Sequence, residues 1–145
     1  MPNQVRELHE ILLDLAGIMN EPQRDDALIG EAGIALDRAL FPLLVRIQRR
    51  GPLGVVELAN LAGRDHTTVS RQVAKLEELG LVTRREGRQD KRVREVAVTR
   101  KGLAMTDALD KARERLVAPR LAKWSARDRA DLLRLMRKLV DSARE

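Results

Sequence analysis

The chain has 145 residues, with 28 Lys or Arg against 22 Asp or Glu, a formal net charge of +6 and an isoelectric point of about 10.4. It contains no Cys, no Tyr, one Phe (Phe41) and one Trp (Trp124), which excludes disulfides, thiolate zinc sites and thiol redox chemistry and leaves no aromatic platform for stacking RNA bases. Apolar residues make up 43% and charged residues 34%, against a usual charged share of about 25%, so a modest core is expected under a highly charged shell.

Val5, Leu8, Leu12, Leu15 and Met19 recur at alternating spacings of three and four, widened by Ile11 and Ile18. This pattern predicts a helix that buries a broad face and ends at Glu21-Pro22. Asp25 to Ala32 reads as a weaker helix, loosened at Gly33. Asp37 is the expected N-cap of a helix carrying Leu40, Leu43, Leu44 and Ile47. Because Pro42 is tolerated only near a helix start, that helix either begins nearer Ala39 or bends at Phe41.

Gly51-Pro52-Leu53-Gly54 reads as a turn, followed by a short helix through Val55, Val56, Leu58, Ala59, Leu61 and Ala62 that stops at Gly63. Asp65 can cap a second helix whose Val69, Val73, Leu76 and Leu79 form an apolar stripe ending at Gly80. Two short helices joined by a tight Gly-containing turn predict a helix-turn-helix. Leu81–Arg85 and Val93–Val98 then read as strands around the charged segment Glu86–Arg92, with Val96 and Val98 pointing inward. Thr99 can cap a long helix through Met105, Leu109, Ala112 and Leu116 that Pro119 bends or ends. Ser125-Ala126-Arg127-Asp128 resembles a capping box opening a last helix with Leu132, Leu135, Met136, Leu139 and Val140 on one face.

The charge is unevenly spread. Arg46 to Lys101 holds 14 basic and 7 acidic residues, net +7, and the remainder holds 14 and 15, net −1. A local excess of this kind suits a polyanion such as double-stranded DNA, although a solvated charged face alone would give the same count. At 100° per residue the second short helix, buried through Val69, Val73 and Leu76, turns Thr67, Arg71 and Ala74 outward with Thr68, Ser70 and Lys75 on the flanks. Hydroxyls at a helix N-terminus bond phosphate oxygens, and an arginine further along can fork onto guanine. No acid interrupts Thr67 to Lys75. At the hairpin, Arg88, Lys91 and Arg92 surround Asp90. Arg92 is the candidate for a narrow minor groove, and Asp90 either holds it extended or is an ordinary turn aspartate.

These residues resemble the MarR family of bacterial transcription regulators. The resemblance runs from Leu36 to Leu103 through Gly51-Pro52-Leu53, Glu57-Leu58-Ala59, Asp65-His66-Thr67-Thr68-Val69-Ser70-Arg71, Leu76-Glu77, Gly80-Leu81-Val82 and Arg84-Arg85. Asp90-Lys91-Arg92 looks like the family's Asp-x-Arg wing motif, and Val98-Thr99-Arg100-Lys101-Gly102 resembles its exit from the wing. The resemblance implies a mainly α fold with a small β-hairpin wing (α+β): a winged helix-turn-helix over residues 36–102, flanked by dimerisation helices over 3–32 and 103–145. It further implies a homodimeric regulator, a repressor or activator with repression the expected sign, on a near-palindromic operator. One recognition helix per subunit would enter the major groove, each wing would reach the minor groove, and a small-molecule effector would bind between the dimerisation helices and the winged core.

The expected DNA-binding residues are Thr67, Thr68, Ser70, Arg71, Lys75, Arg84, Arg88, Asp90, Lys91 and Arg92. Arg38, Arg46 and Trp124 are weak candidates for an effector site and could equally be surface or packing residues. The first helix breaks at Pro22 where the family usually has a longer continuous one, and the absence of Cys excludes its peroxide-sensing branch. With only His9 and His66, neither zinc sensing nor any metal is expected, and His66 reads as a first-turn residue near DNA. No cofactor and no enzymatic activity are expected, since no nucleophile constellation or Gly-rich phosphate loop is present. Met1-Pro2-Asn3-Gln4-Val5-Arg6-Glu7 has no apolar signal region and no stretch nears the ~20 apolar residues of a membrane span, so a cytoplasmic protein without a membrane partner is expected. A helical interaction module or sequence-neutral chromosomal protein would also explain the charge, but not the turn, the polar helix face and the wing together.

Overall fold

Prolines set where the first helices begin. In the computed structural model, which describes residues 1–145, α1 spans Pro2–Met19 and α2 spans Pro22–Ala32. Each proline sits in a first turn, where a missing N–H removes no intrahelical bond. The second helix therefore starts earlier than Asp25, and Gly33 closes it at φ 67°.

The next helix, α3, runs Phe41–Arg50 with Pro42 in its first turn, so it begins beyond Ala39 and has no proline in its interior to bend it. Asp37 does not cap it. The Asp37 carboxylate accepts from the Ala39 N–H at 2.7 Å and its carbonyl accepts from the Leu40 N–H at 2.9 Å, building a separate turn ahead of the helix. The Gly51–Gly54 turn also hides a strand: Leu53–Gly54 (β1) pairs antiparallel with Glu95 and Val96.

Helices α4 (Val55–Ala62) and α5 (His66–Glu78) follow, joined through Gly63 at φ 64°. The hairpin strands β2 (Val82–Glu86) and β3 (Arg94–Val98) complete a three-stranded antiparallel sheet in the order β1-β3-β2. Register places Arg85 opposite Glu95 and Glu86 opposite Arg94, opposite charges facing across the ladder. Val96 and Ala97 are both buried while Val98 is half-buried, so the strict alternation expected of β3 breaks where α6 covers the sheet. Helix α6 spans Arg100–Leu121, and Pro119 lies inside its last turn, ending it two residues later. Helix α7 spans Ala126–Ala143, capped by Ser125 Oγ accepting from the Asp128 N–H at 3.0 Å.

One core joins these parts. Leu43, Leu44 and Ile47 of α3 meet Leu58 of α4, Val69, Val73 and Leu76 of α5, Leu53 and Val96 of the sheet, and Leu109 and Ala112 of α6. Met105 only partly joins this core and Leu116 stays exposed. Polar ties fix the long helix to the lobe: Asp110 accepts from Arg49 at 2.8 Å and from Arg113 at 3.3 Å. Arg115 bonds the Glu31 carboxylate at 2.7 Å and its carbonyl at 3.1 Å. Burial lowers the Arg113 pKa and Arg49 adds to it, with Asp110 opposing both.

The end of α5 is clamped to the start of α6. Thr99 Oγ1 donates to the Gly80 carbonyl at 2.6 Å and accepts from the Gly102 N–H at 3.1 Å, while Lys101 Nζ donates to the Leu79 carbonyl at 2.9 Å. Gly102 is required by close approach: a Cβ there would collide with the Leu81 carbonyl oxygen and lie 2.7 Å from Val98 Cγ2. Gly102→Ala should therefore lower the unfolding free energy by about 1–3 kcal/mol, through overpacking, in a urea titration. An unchanged midpoint would show that the junction yields freely.

Helices α1 and α7 contain no buried residue. The broad face expected to be buried on α1 is open in the single chain, with Val5, Leu8, Ile11, Leu12 and Ile18 all exposed, as are Leu132, Leu135, Met136 and Val140 on α7.

Candidate nucleic-acid interface

Helix α5 is anchored at its start by Asp65, whose carboxylate accepts from the Thr68 N–H at 3.1 Å and from Thr68 Oγ1 at 3.4 Å. With Val69, Val73 and Leu76 fully buried, Thr67, Arg71, Ala74 and Lys75 are exposed, and Thr68 and Ser70 are half-exposed beside them. The outward face is basic along Arg71 and Lys75, and Glu78 approaches Lys75 Nζ only to 3.5 Å. Arg71 makes no hydrogen bond or ion pair with the rest of the protein, so its guanidinium is free for an external acceptor.

The wing tip closes by two backbone bonds, Gly87 N–H to the Val93 carbonyl at 2.7 Å and Val93 N–H to the Asp90 carbonyl at 3.1 Å. A Cβ on Gly87 would strike the Asp90 carbonyl oxygen. Asp90 accepts three bonds from Arg92: the backbone N–H at 3.0 Å and, bidentate, Nε and Nη2 at 3.2 Å each. The guanidinium is thus oriented while its side chain stays 91% exposed. These bonds, the side-chain pair first and the backbone N–H second, hold the Asp90 carboxyl below the usual carboxylate range.

Arg84 turns inward, whereas Arg88 pairs within the fold while its side chain stays 65% exposed. Arg84 lies 3.5 Å from Glu77 with only 25% of its side chain exposed, tying β2 to α5. Arg88 lies 3.9 Å from Glu95 and donates to the Pro52 carbonyl at 3.4 Å, while its backbone N–H bonds Glu95 at 2.7 Å. Lys91 is exposed.

The sequence pattern of the MarR family matches residues 36–93. The chain is 32% identical over 106 residues to the uncharacterized HTH-type transcriptional regulator YxaD of Bacillus subtilis (strain 168), an alignment covering 71% of this chain and 74% of that one. The chain belongs to the MarR family. It is likewise 27% identical over 139 residues to the uncharacterized HTH-type transcriptional regulator YdgJ of the same organism, covering 92% of this chain and 80% of the relative. A MarR family protein from Bacillus stearothermophilus superimposes with a TM-score of 0.78 at 25% identity, over 100% of this chain and 99% of that one. The α4–α5 unit and the β2–β3 hairpin are thus the winged helix-turn-helix of a MarR-family, DNA-binding transcriptional regulator.

Within this MarR-family fold the three weak effector candidates are not gathered into one site. Arg38 faces Asp25, whose carboxyl burial pushes up against the opposing pull of Arg38. Arg46 donates to the Pro42 carbonyl at 3.2 Å, and burial together with nearby Arg64 lowers its pKa. Trp124 lies at the α6–α7 turn, in an open concavity with Lys123, Ser125, Asp128 and Leu132. Two residues outside the sequence-derived set reach the α5 surface: Arg64 Nη1 donates to the Ala39 carbonyl at 2.8 Å and to Gln72 Oε1 at 3.1 Å. At 100° per residue Gln72 falls between the buried stripe and the Arg71 face, and the partner of Arg64 lies 25 positions away, so periodicity marks neither.

Proposed function

We propose that the protein is a homodimeric, sequence-specific repressor that seats α5 of each subunit in a major groove of a near-palindromic operator and lays each wing along the adjacent minor groove. The carrying observation is the pairing of an outward α5 face, free of acids from Thr67 to Lys75 around an unpartnered Arg71, with a wing Arg92 oriented bidentately by Asp90. In this reading residues 36–102 form the DNA-binding lobe. Thr67, Thr68 and Ser70 approach phosphate at the α5 N-terminus, Arg71 reads a base, and Lys75, Arg88 and Lys91 add phosphate attraction. Arg84 takes a supporting part, holding Glu77 away from the DNA face.

Residues 3–32 and 103–145 form the dimer interface, because the apolar faces of α1 and α7 have no cover within one chain. A dimer occupying duplex DNA excludes polymerase without any further part, which favours repression. A small-molecule effector acting where α2 meets α6 would bias the angle between lobe and dimer helices. Hydroxyl-radical footprinting tests the docking: two protected grooves one helical turn apart with flanking minor-groove protection are expected. Protection spread evenly along the duplex would contradict it.

The wing gives a second expectation. Arg92→Ala should lower DNA affinity and reduce the salt slope of the dimer by about two units, since one cation per subunit is lost. Asp90→Ala should reproduce part of the loss by freeing the guanidinium, and full affinity in Asp90→Ala would remove the orienting role. Because the folded carboxyl titrates below its unfolded value, the Asp90–Arg92 pair is intact throughout the neutral range. It is lost only as pH falls below the ordinary carboxylate range.

A further inference from the structure

Beside α5 lies an open concavity of about 400 Å³ walled by Thr68, Arg71, Gln72 and Lys75 on one side and by the Asp37 turn on the other. The Asp37 carboxylate is already engaged by the Ala39 N–H, and Thr68 Oγ1 is turned to Asp65. Gln72 is held differently. A guanidinium has only donors, so Arg64 can meet only the amide oxygen of Gln72 and thereby fixes which way the amide faces. Arg64 is itself fixed by the Ala39 carbonyl at 2.8 Å. The Gln72 Nε2 has no partner in the protein, yet no buried side-chain nitrogen or oxygen lacks one, so the NH2 end is open to solvent on this wall.

We infer that Gln72 is a specificity-determining residue, positioned by Arg64 to offer only N–H donors to the major groove, and that it selects guanine over adenine at one position of each half-site. Guanine presents two adjacent acceptors, N7 and O6, which an outward NH2 group can meet. The bidentate pairing of glutamine with adenine requires the amide oxygen to accept from N6, and Arg64 holds that oxygen away. Arg64 is a positioning residue acting through Gln72. This inference rests on the proposed docking of α5 in the major groove.

The test compares the full-length protein with Gln72→Met and Arg64→Met on duplexes in which each half-site position is varied singly, including 7-deazaguanine in place of guanine. Wild type should prefer guanine over adenine at one position by about tenfold over the two half-sites, and 7-deazaguanine should erase part of that preference. Gln72→Met should lose discrimination at that position alone. Arg64→Met should keep binding but admit adenine there, because the released amide can turn, and a thermal melt of each variant confirms that it is folded. If Gln72→Met discriminates at every position as wild type does, the contact is absent. If it weakens binding equally on every sequence, Gln72 touches phosphate and the base reading fails. An Arg64→Met preference identical to wild type would overturn the positioning role. Failure of the docking itself is distinguishable, because wild type would then show no preference anywhere on the duplex.

Discussion

Leu135→Asp should convert the protein into a folded monomer that no longer holds a two-half-site operator. Leu135 is 51% exposed in the single chain and sits on the open apolar face of α7, so the substitution leaves the core of one chain, centred on Leu43, Leu76 and Leu109, untouched. In an interface with two-fold symmetry each substitution occurs twice, and burying or juxtaposing the new carboxylates costs several kcal/mol. Dimer dissociation should then rise by roughly 10² to 10⁴-fold. Operator affinity falls by a similar factor, because the second recognition helix is no longer delivered at high effective concentration. Leu12→Asp on the open face of α1 should act the same way. Sedimentation at micromolar concentration reads the result directly. A Leu135→Asp protein that sediments with wild type would place the interface elsewhere.

Arg71→Ala should give the largest loss of sequence discrimination. Its guanidinium is exposed and unpartnered at the centre of the α5 face, and a bidentate contact to guanine accounts for about 1–3 kcal/mol against a wrong base. A symmetric operator contains the contact twice, so the loss reaches about 2–6 kcal/mol if the half-sites act independently. The variant should bind random DNA nearly as wild type does, while preference at one position per half-site disappears. Equal weakening on every sequence would assign Arg71 to the phosphate backbone instead.

Most of the winged lobe is legible in the sequence because its signals are local. The Asp65 cap, the Val69–Val73–Leu76 stripe and Gly80 delimit α5 within a few residues of one another, and the structure places Arg71 on the outer face that this spacing requires. Asp37 was expected to cap α3 and does not, for a physical reason: an aspartate that caps a helix and one that closes a preceding turn have the same local signature, and only Pro42 at the start of α3 separates them. β1 was illegible since Leu53-Gly54 is too short to show alternation and exists only through its pairing with β3. The pairing of half-buried Arg84 with Glu77, and of exposed Arg88 with Glu95 and Pro52, depends on those partners reaching them through the fold, which composition does not encode. The Asp90–Arg92 pair was legible as one of two alternatives, and the structure shows both at once: the carboxylate accepts the Arg92 backbone N–H as a turn aspartate does and also holds the guanidinium bidentately. The apolar stripes of α1 and α7 were readable, but burial of those faces was not to be found within a single chain, where neither helix has a buried residue.

The central claim is that this protein reads a particular DNA sequence as a symmetric dimer, and selection from random duplexes at fixed physiological salt tests it most directly. Fixed salt matters because phosphate contacts alone give tight, sequence-blind binding at low ionic strength. The expected result is a two-fold symmetric motif with half-sites about one helical turn apart. Salt-sensitive binding with no enriched motif would contradict the claim, and with it the base-reading role of Arg71.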